Sequence, residues 1–122
     1  MEFIPTDASA RSFADRLLCL ALDVGEGVLK NGGEVHRVED TVERICHAYG
    51  AAHIEVFAIT TLILASVRME DGSYSSQIRR VPRSANDFSR LEDYNRVSRE
   101  VCFDTPSLDA FDEKIKAVKK QK

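Results

Sequence analysis

The stretch of sequence that decides the fold is NGGEVHRVEDTVERICHAYG, residues 31–50. Its apolar residues are spaced three and four apart, as on one face of a helix, and are Val35, Val38, Val42, Ile45 and Tyr49. The Gly-Gly pair before them ends any preceding helix, because glycine adopts a positive φ without a steric penalty. Residues 31–33 therefore predict the corner of a helical hairpin, with Asn31 as the N-cap of the second helix and Glu34 completing a capping box.

The sequence on both sides of this corner predicts an α+β fold. Apolar residues keep helical spacing through residues 8–30, whereas residues 53–82 alternate between apolar and polar side chains, as strands do. Asp71-Gly72 is a strong hairpin signal, and Thr60-Thr61, which lacks glycine, is a weaker one. We therefore expect a helical hairpin over residues 8–50, followed by a three-stranded antiparallel meander whose polar last strand lies at an edge.

Two further helices are expected over residues 86–118. The pair Thr105-Pro106 predicts the start of the second one, as a cap followed by a first helical position. A length of 122 residues favours a single domain, residues 1–122, with the order α-α-β-β-β-α-α and the helices on one face of the sheet. The residues expected to face inward in the first of these helices are Phe88, Leu91, Tyr94 or Asn95, Ser98 and Val101.

Composition and motifs argue against several classes of protein. The net charge of −3 gives no general attraction to nucleic acid, and no apolar run approaches the ~18 residues of a membrane-spanning helix. No nucleophile elbow, Walker sequence or metalloprotease motif occurs, so we expect neither catalysis nor a cofactor. The three cysteines lack Cys-x-x-Cys spacing and are expected to be reduced core thiols.

The charged face of the second helix admits two interpretations. Four side chains that can ligate a divalent metal fall within about 60° of one another on a helical wheel: His36, Asp40, Glu43 and His47. Asp40 is also well placed for an i,i+4 ion pair with Arg44, and a solvated face with such pairs is the preferred interpretation. A metal-dependent hydrolase built on these four residues, with His53 as a further ligand, stays open as the less favoured alternative.

Arginine dominates the segment that links the sheet to the third helix. Six arginines lie between residues 79 and 99: Arg79, Arg80, Arg83, Arg90, Arg96 and Arg99. Guanidinium groups bind carboxylates and phosphates through paired hydrogen bonds, so partners of those types are expected. Candidate partners are the acids of the neighbouring helices, such as Glu92, Asp93 and Glu100. No aromatic residues are interleaved with these arginines in a recognition motif, so we expect no nucleic-acid partner.

Two segments resemble the N-terminal domain of the threonine/serine exporter family. The run GGEVHRVEDT, residues 32–41, followed by Ala48-Tyr49-Gly50, is similar to that family's signature. A second similarity begins at Arg80-Val81-Pro82-Arg83 and continues through Leu91, Asn95, Ser98 and Arg99. The resemblance covers about residues 12–103. This sequence departs from the family's pattern at Ile59-Thr60-Thr61, where the family has a Pro-Thr pair in the hairpin turn.

The resemblance implies a part in exporting small polar metabolites, such as threonine, serine or related amino or dicarboxylic acids. Members of the family continue into several membrane helices, so it implies an accessory or gating domain on the cytoplasmic side of the cell membrane. The expected partner is a membrane-embedded region of the same chain or of a companion subunit, and self-association into a homo-oligomer stays open. A small-molecule sensor that uses the arginine-rich face is the main alternative.

The candidate functional residues come from the two similar segments. They are Glu34, Arg37, Glu39, Asp40, Arg80, Arg83, Asn95 and Arg99. We expect the acids at the start of the second helix to dock against another element, with Arg80, Arg83 and Arg99 as their partners, in this domain or in its membrane part.

Overall fold

The computed structural model describes residues 12–82 and 87–120. Four helices and one three-stranded antiparallel sheet follow one another in the expected order, which confirms the α+β class. The elements are α1 (Phe13–Lys30), α2 (Val35–Ala48), β1 (Ala51–Ile59), β2 (Leu62–Met69), β3 (Tyr74–Arg80), α3 (Phe88–Asp104) and α4 (Leu108–Lys120).

Helix α1 is the centre of the molecule. Ser12 caps it, because the Ser12 hydroxyl accepts a hydrogen bond from the Asp15 amide at 3.1 Å. The expected start at residue 8 lies outside the described residues. Phe13 is 47% exposed, but the apolar stripe of α1 from Ala14 to Val28 is buried, and the helix contacts α2, β2, β3, α3 and α4. Every later layer of the fold therefore packs against this one helix.

The corner after α1 forms where expected, but Asn31 has a different role. Gly32 adopts a φ of 104°, and the Gly33 amide donates to the Val28 carbonyl at 2.8 Å. The buried Asn31 side chain donates from Nδ2 to the Gly27 carbonyl at 2.8 Å, so it closes α1. The predicted N-cap role of Asn31 is wrong, because its amide is already engaged one turn back. Glu34 is the N-cap of α2, without a side-chain capping bond.

The sheet has the order β1-β2-β3, and the helices that the structure describes cover only one of its faces. Helix α2 packs against β1, and α1 packs against β2 and β3. Ile54, Ala58, Ile63, Ala65 and Val67 point into this layer and are buried, as their alternation predicted. The Thr60-Thr61 turn connects β1 and β2 as expected, and the Thr61 carbonyl accepts from the Val81 amide at 2.9 Å.

The opposite face of the sheet is apolar at its centre. Phe57, Leu64 and Ile78 lie side by side across the three strands, and Ile59 pairs with Leu62 in the next row. Phe57 is 56% exposed and Ile78 is 68% exposed, and no described helix packs over them. We call these five residues the outer sheet face.

The C-terminal helices correct two further predictions. Phe88 is 70% exposed because it lies about 120–180° around α3 from the buried Tyr94, Val97 and Val101. Thr105 does not open α4. It ends α3 in a left-handed conformation, with φ at 40° and its amide donating to the Val101 carbonyl. The Ser107 hydroxyl accepts from the Ala110 amide at 3.1 Å, at the start of α4.

Tyr49 fastens the end of α2 to the last two helices. Its ring stacks on Phe111 with the centroids 5.9 Å apart, and its hydroxyl donates to the Pro106 carbonyl at 2.7 Å. Burial, with a smaller contribution from Cys102, raises the pKa of Tyr49 to about 12, so the phenol keeps its proton. These contacts fix the end of α2 relative to α4 and to the loop that precedes it.

Two glycines inside α1 allow its neighbours to approach closely. A Cβ on Gly25 would lie 2.9 Å from Val42 Cγ2, and a Cβ on Gly27 would lie 2.4 Å from Tyr94 Cε2. The first contact is tight and the second is a severe overlap with an aromatic ring. Helices α2 and α3 therefore take their places partly because two side chains are missing from α1.

We predict that Gly27→Ala destabilises the chain by about 2 kcal/mol, since the new methyl group forces the Tyr94 ring to move. The sign of the change in unfolding free energy is informative, because Gly→Ala inside an unobstructed helix stabilises the protein by about 1 kcal/mol. Urea denaturation gives the free energy of unfolding. In a Tyr94→Ala background, Gly27→Ala should no longer lower the free energy of unfolding. A stabilising Gly27→Ala in the wild-type background would contradict the close contact.

Candidate functional site

A groove of about 480 Å³ runs between α2 and α3. Five of the candidate residues share it: Glu34, Arg37, Asp40, Asn95 and Arg99. The other residues that line it are His36, Thr41, Arg44 and Ser98. Every side chain in the lining is polar, so the groove does not continue the hydrophobic core. We call it the α2–α3 groove.

The helical hairpin and the stripe of α3 explain how the groove forms. Val38, Val42 and Ile45 pack into the core on one face of α2, which leaves Arg37, Asp40 and Arg44 exposed beside α3. Tyr94, Val97 and Val101 do the same for α3 and leave Asn95, Ser98 and Arg99 beside α2. The two polar faces meet because both helices pack against α1.

The charges in the groove are unevenly paired. Arg44 Nε lies 2.9 Å from Asp40 Oδ2, which is the expected i,i+4 ion pair. Among the described residues, neither Arg37 nor Arg99 has an ion-pair partner. Three arginines face two carboxylates, so the groove carries a net charge of +1 with His36 neutral. Two guanidinium groups are thus available for an anionic group.

The floor of the groove is polar and partly buried. Thr41 is only 6% exposed although its side chain is polar, and Asn95 and Ser98 are partly buried. Burial raises the pKa of the Cys102 thiol. A hydrogen bond from Ser98 and the charge of Arg44 act in the opposite direction, but the effect of burial is larger. Ser98 therefore already has a partner one turn along α3.

Glu39 does not face the groove. Its Oε2 accepts a hydrogen bond from the amide of Ala58 in β1 at 3.0 Å, and its Oε1 lies 3.7 Å from His36 Nδ1. Strand β1 is an edge of the sheet, so its outward amides lack a strand partner. Glu39 therefore binds α2 to this edge.

The ion pairs among the described residues do not join the acids at the start of α2 to Arg80 or Arg99, so the expected docking of these acids on arginines stays a prediction. Arg80 lies beside Ile59 and Leu62, and it does not line the α2–α3 groove. Arg99 lines the groove with Glu34 and Asp40 but forms no ion pair with either. Arg83 lies outside the described residues.

The sequence interpretation missed a charged cluster between β3 and α1. Arg79 Nη1 lies 2.8 Å from Asp23 Oδ1 and 2.9 Å from Glu26 Oε1, and all three side chains are partly buried. Burial alone would lower the pKa of Arg79, but its hydrogen bonds to Glu26 and Asp23 outweigh this and raise the pKa. Two features of the sequence could have indicated this cluster. The alternation in β3 places Arg79 on the face toward the helices, and Asp23 and Glu26 lie three residues apart on α1.

The metal alternative finds no support in the part of the chain that the structure describes. No three His, Cys, Asp or Glu side chains come together there in a way that could hold an ion. His36 is close to Glu39, Asp40 binds Arg44, and His53 lies 3.1 Å from Glu55. The hydrolase interpretation of His36, Asp40, Glu43 and His47 therefore has no assembled centre.

The cysteines show no feature of a reactive site. Cys46 is fully buried, and Cys19 and Cys102 are partly buried. Desolvation, with a smaller contribution from Cys102, raises the pKa of Cys46 to about 12, so its thiol stays protonated. A thiol that keeps its proton is a poor nucleophile, which agrees with the expected role as a core residue.

Residues 19–122 match the protein family described as "Putative threonine/serine exporter". No curated protein and no solved structure matches the chain. Among the described residues, no helix combines the length and apolar character needed to cross a membrane.

We predict that Arg79→Met destabilises the chain by about 2 kcal/mol, because it leaves Asp23 and Glu26 partly buried without their cation. Arg44→Met is the matched control. Arg44 pairs with Asp40 at 2.9 Å and both side chains are more than half exposed, so its loss should cost less than about 0.5 kcal/mol. Urea denaturation measures both, and adding Asp23→Asn and Glu26→Gln should restore part of the loss. Equal effects of the two arginine variants would contradict a structural role for Arg79.

A second prediction distinguishes the contribution of Glu39 to stability from that of its neighbour Asp40. Glu39→Ala should cost about 1–2 kcal/mol, because the Ala58 amide loses its acceptor, and Glu39→Gln should cost less because an amide oxygen remains. Asp40→Ala removes only an exposed ion pair and should cost about 0.5 kcal/mol or less. The free energy of unfolding in urea measures the difference. A larger loss for Asp40→Ala than for Glu39→Ala would refute the assignment.

Proposed function

This chain belongs to the threonine/serine exporter family, and we propose that it is an accessory or gating domain of an exporter of small polar metabolites. The family match across residues 19–122 carries the proposal, since it includes most of α1 and every later element. The exported compounds would be threonine, serine or related amino or dicarboxylic acids. In this role the domain acts on a transport path that other segments build.

The outer sheet face supports a partner for this domain. Contiguous exposed apolar residues on a folded domain mark an interaction surface. Here Phe57, Ile59 and Ile78 are exposed, with Leu62 and Leu64 between them. We assign this face to the membrane-embedded region of the exporter, in the same chain or in a companion subunit. Glu55 and Arg80 stand at its borders, so the rim can supply polar contacts around an apolar centre.

The end of α4 favours the cytoplasmic side of the membrane. Lys116, Lys119 and Lys120 lie on the last two turns of this helix and are exposed. Exposed lysines are attracted to the anionic lipids of the cytoplasmic leaflet, by about 1 kcal/mol for each residue near the surface. The proposed orientation therefore places the end of α4 near the headgroups.

The test compares an aspartate on the outer sheet face with one elsewhere, in cells that carry the native exporter. Phe57→Asp should lower association with the membrane-embedded region about tenfold or more, because a charge is then buried at the contact, and efflux of threonine or serine should fall with it. Phe103→Asp is the matched control, because Phe103 is 88% exposed on α3, away from the sheet. Efflux and co-purification are the measurements.

Two results would contradict the proposal. Efflux that is unchanged by Phe57→Asp and by removal of the whole domain would exclude an accessory role. A purified chain that sediments as a dimer, and as a monomer after Phe57→Asp, would show that the outer sheet face serves a second copy instead of the exporter.

A further inference from the structure

We propose that the α2–α3 groove is a binding site for the carboxylate group of a small polar molecule, held by Arg37 and Arg99. This goes beyond the accessory role, which concerns the partner of the domain and not a ligand. Ligand binding can be tested on the chain alone, so a failure to bind would leave the proposed accessory role intact. Failure of the accessory role would likewise leave the ligand site intact.

The pairing of the arginines points to this groove. Arg16, Arg44, Arg79 and Arg96 each have a carboxylate within 3.0 Å. Arg37 and Arg99 have none among the described residues, although both line the same groove. A guanidinium group binds a carboxylate through two parallel hydrogen bonds, which gives geometric specificity as well as energy. Two such groups on facing helices therefore form a site for an anionic group.

Other unpaired arginines lack these surroundings. Arg68 and Arg80 are exposed on the side of the sheet that the helices do not cover, next to Tyr74 and to Ile59 and Leu62 respectively. No polar floor accompanies them. In the groove, by contrast, the arginines stand with the buried Thr41 and with Asn95. The distinguishing feature is the combination of cations and hydrogen-bonding groups in one depression.

The polar floor indicates what else the ligand carries. Among the described residues, the Thr41 hydroxyl and the Asn95 amide have no hydrogen-bond partner, so both are available to a hydroxyl, amine or second carboxylate. Glu34 adds one carboxylate to the lining. A zwitterion could place its ammonium group there and its carboxylate on the arginines, whereas a dicarboxylate could use both arginines. The carboxylate is the chemistry that the two ligand types share.

The size of the groove agrees with a small ligand. Its volume of about 480 Å³ falls in the range of small-molecule sites, which is about 300–1,000 Å³. Because every lining side chain is polar, an apolar ligand would leave these groups without hydrogen bonds. The groove therefore selects for a compact, water-soluble anion or zwitterion.

Isothermal titration calorimetry on the complete chain tests the proposal, with L-serine as the zwitterionic probe and succinate as the dicarboxylate probe. At least one should give saturable binding in the millimolar range or tighter. Arg37→Ala and Arg99→Ala should each weaken it about tenfold or more, because a charged hydrogen-bonding partner is lost. Arg37→Lys keeps the charge without the paired geometry and should weaken it less. Neither alanine variant should change the melting temperature of the unliganded chain.

Arg96→Ala is the matched control, because Arg96 lies on the same helix as Arg99 but outside the groove. Its binding should equal that of the wild type. Inorganic phosphate and sodium chloride at equal ionic strength should not reproduce the binding heat. Three results would overturn the proposal: no binding of either probe, the same loss with Arg96→Ala, or equal binding of phosphate, which would show an adventitious ion only.

Discussion

The close approach of α1 to its neighbours is the constraint on which the rest of the structure depends. Gly25 leaves room for Val42 of α2, and Gly27 leaves room for the Tyr94 ring of α3. These two contacts set the distance of both helices from α1 and therefore from each other. The α2–α3 groove exists because α2 and α3 are held side by side with their polar faces outward. A packing requirement inside the core thus shapes the surface for which we propose carboxylate binding.

Much of the fold could be predicted from periodicity, because each element buries one face. The alternation in β1 and β2 and the helical spacing in α1 and α2 were sufficient to give the class and the order of elements. The errors fall at helix ends. Asn31 and Thr105 each lie between two helices, where a polar residue can close one or open the next. Local sequence does not decide between these roles, because the outcome depends on burial and on backbone hydrogen bonds formed elsewhere.

The candidate site was predicted in part. The groove brings five candidate residues together, because they lie on exposed faces of two helices whose apolar faces were recognised. Their partners could not be predicted. Arg79 binds Asp23 and Glu26, which lie 56 and 53 residues earlier in the chain. Glu39 binds the backbone amide of Ala58, and every residue type offers such an amide. Pairings of these kinds depend on the tertiary fold, so single-sequence patterns carry little information about them.

The central position of α1 also governs when the domain can fold during synthesis. Helix α1 leaves the ribosome first among the described elements, yet it contacts β3, α3 and α4, which emerge later. Its apolar stripe is not fully covered until Phe111, Ile115 and Val118 have been added near the end of the described chain. Folding must therefore wait for nearly the whole domain, and a nascent chain halted before α4 exposes apolar surface of the kind that chaperones bind.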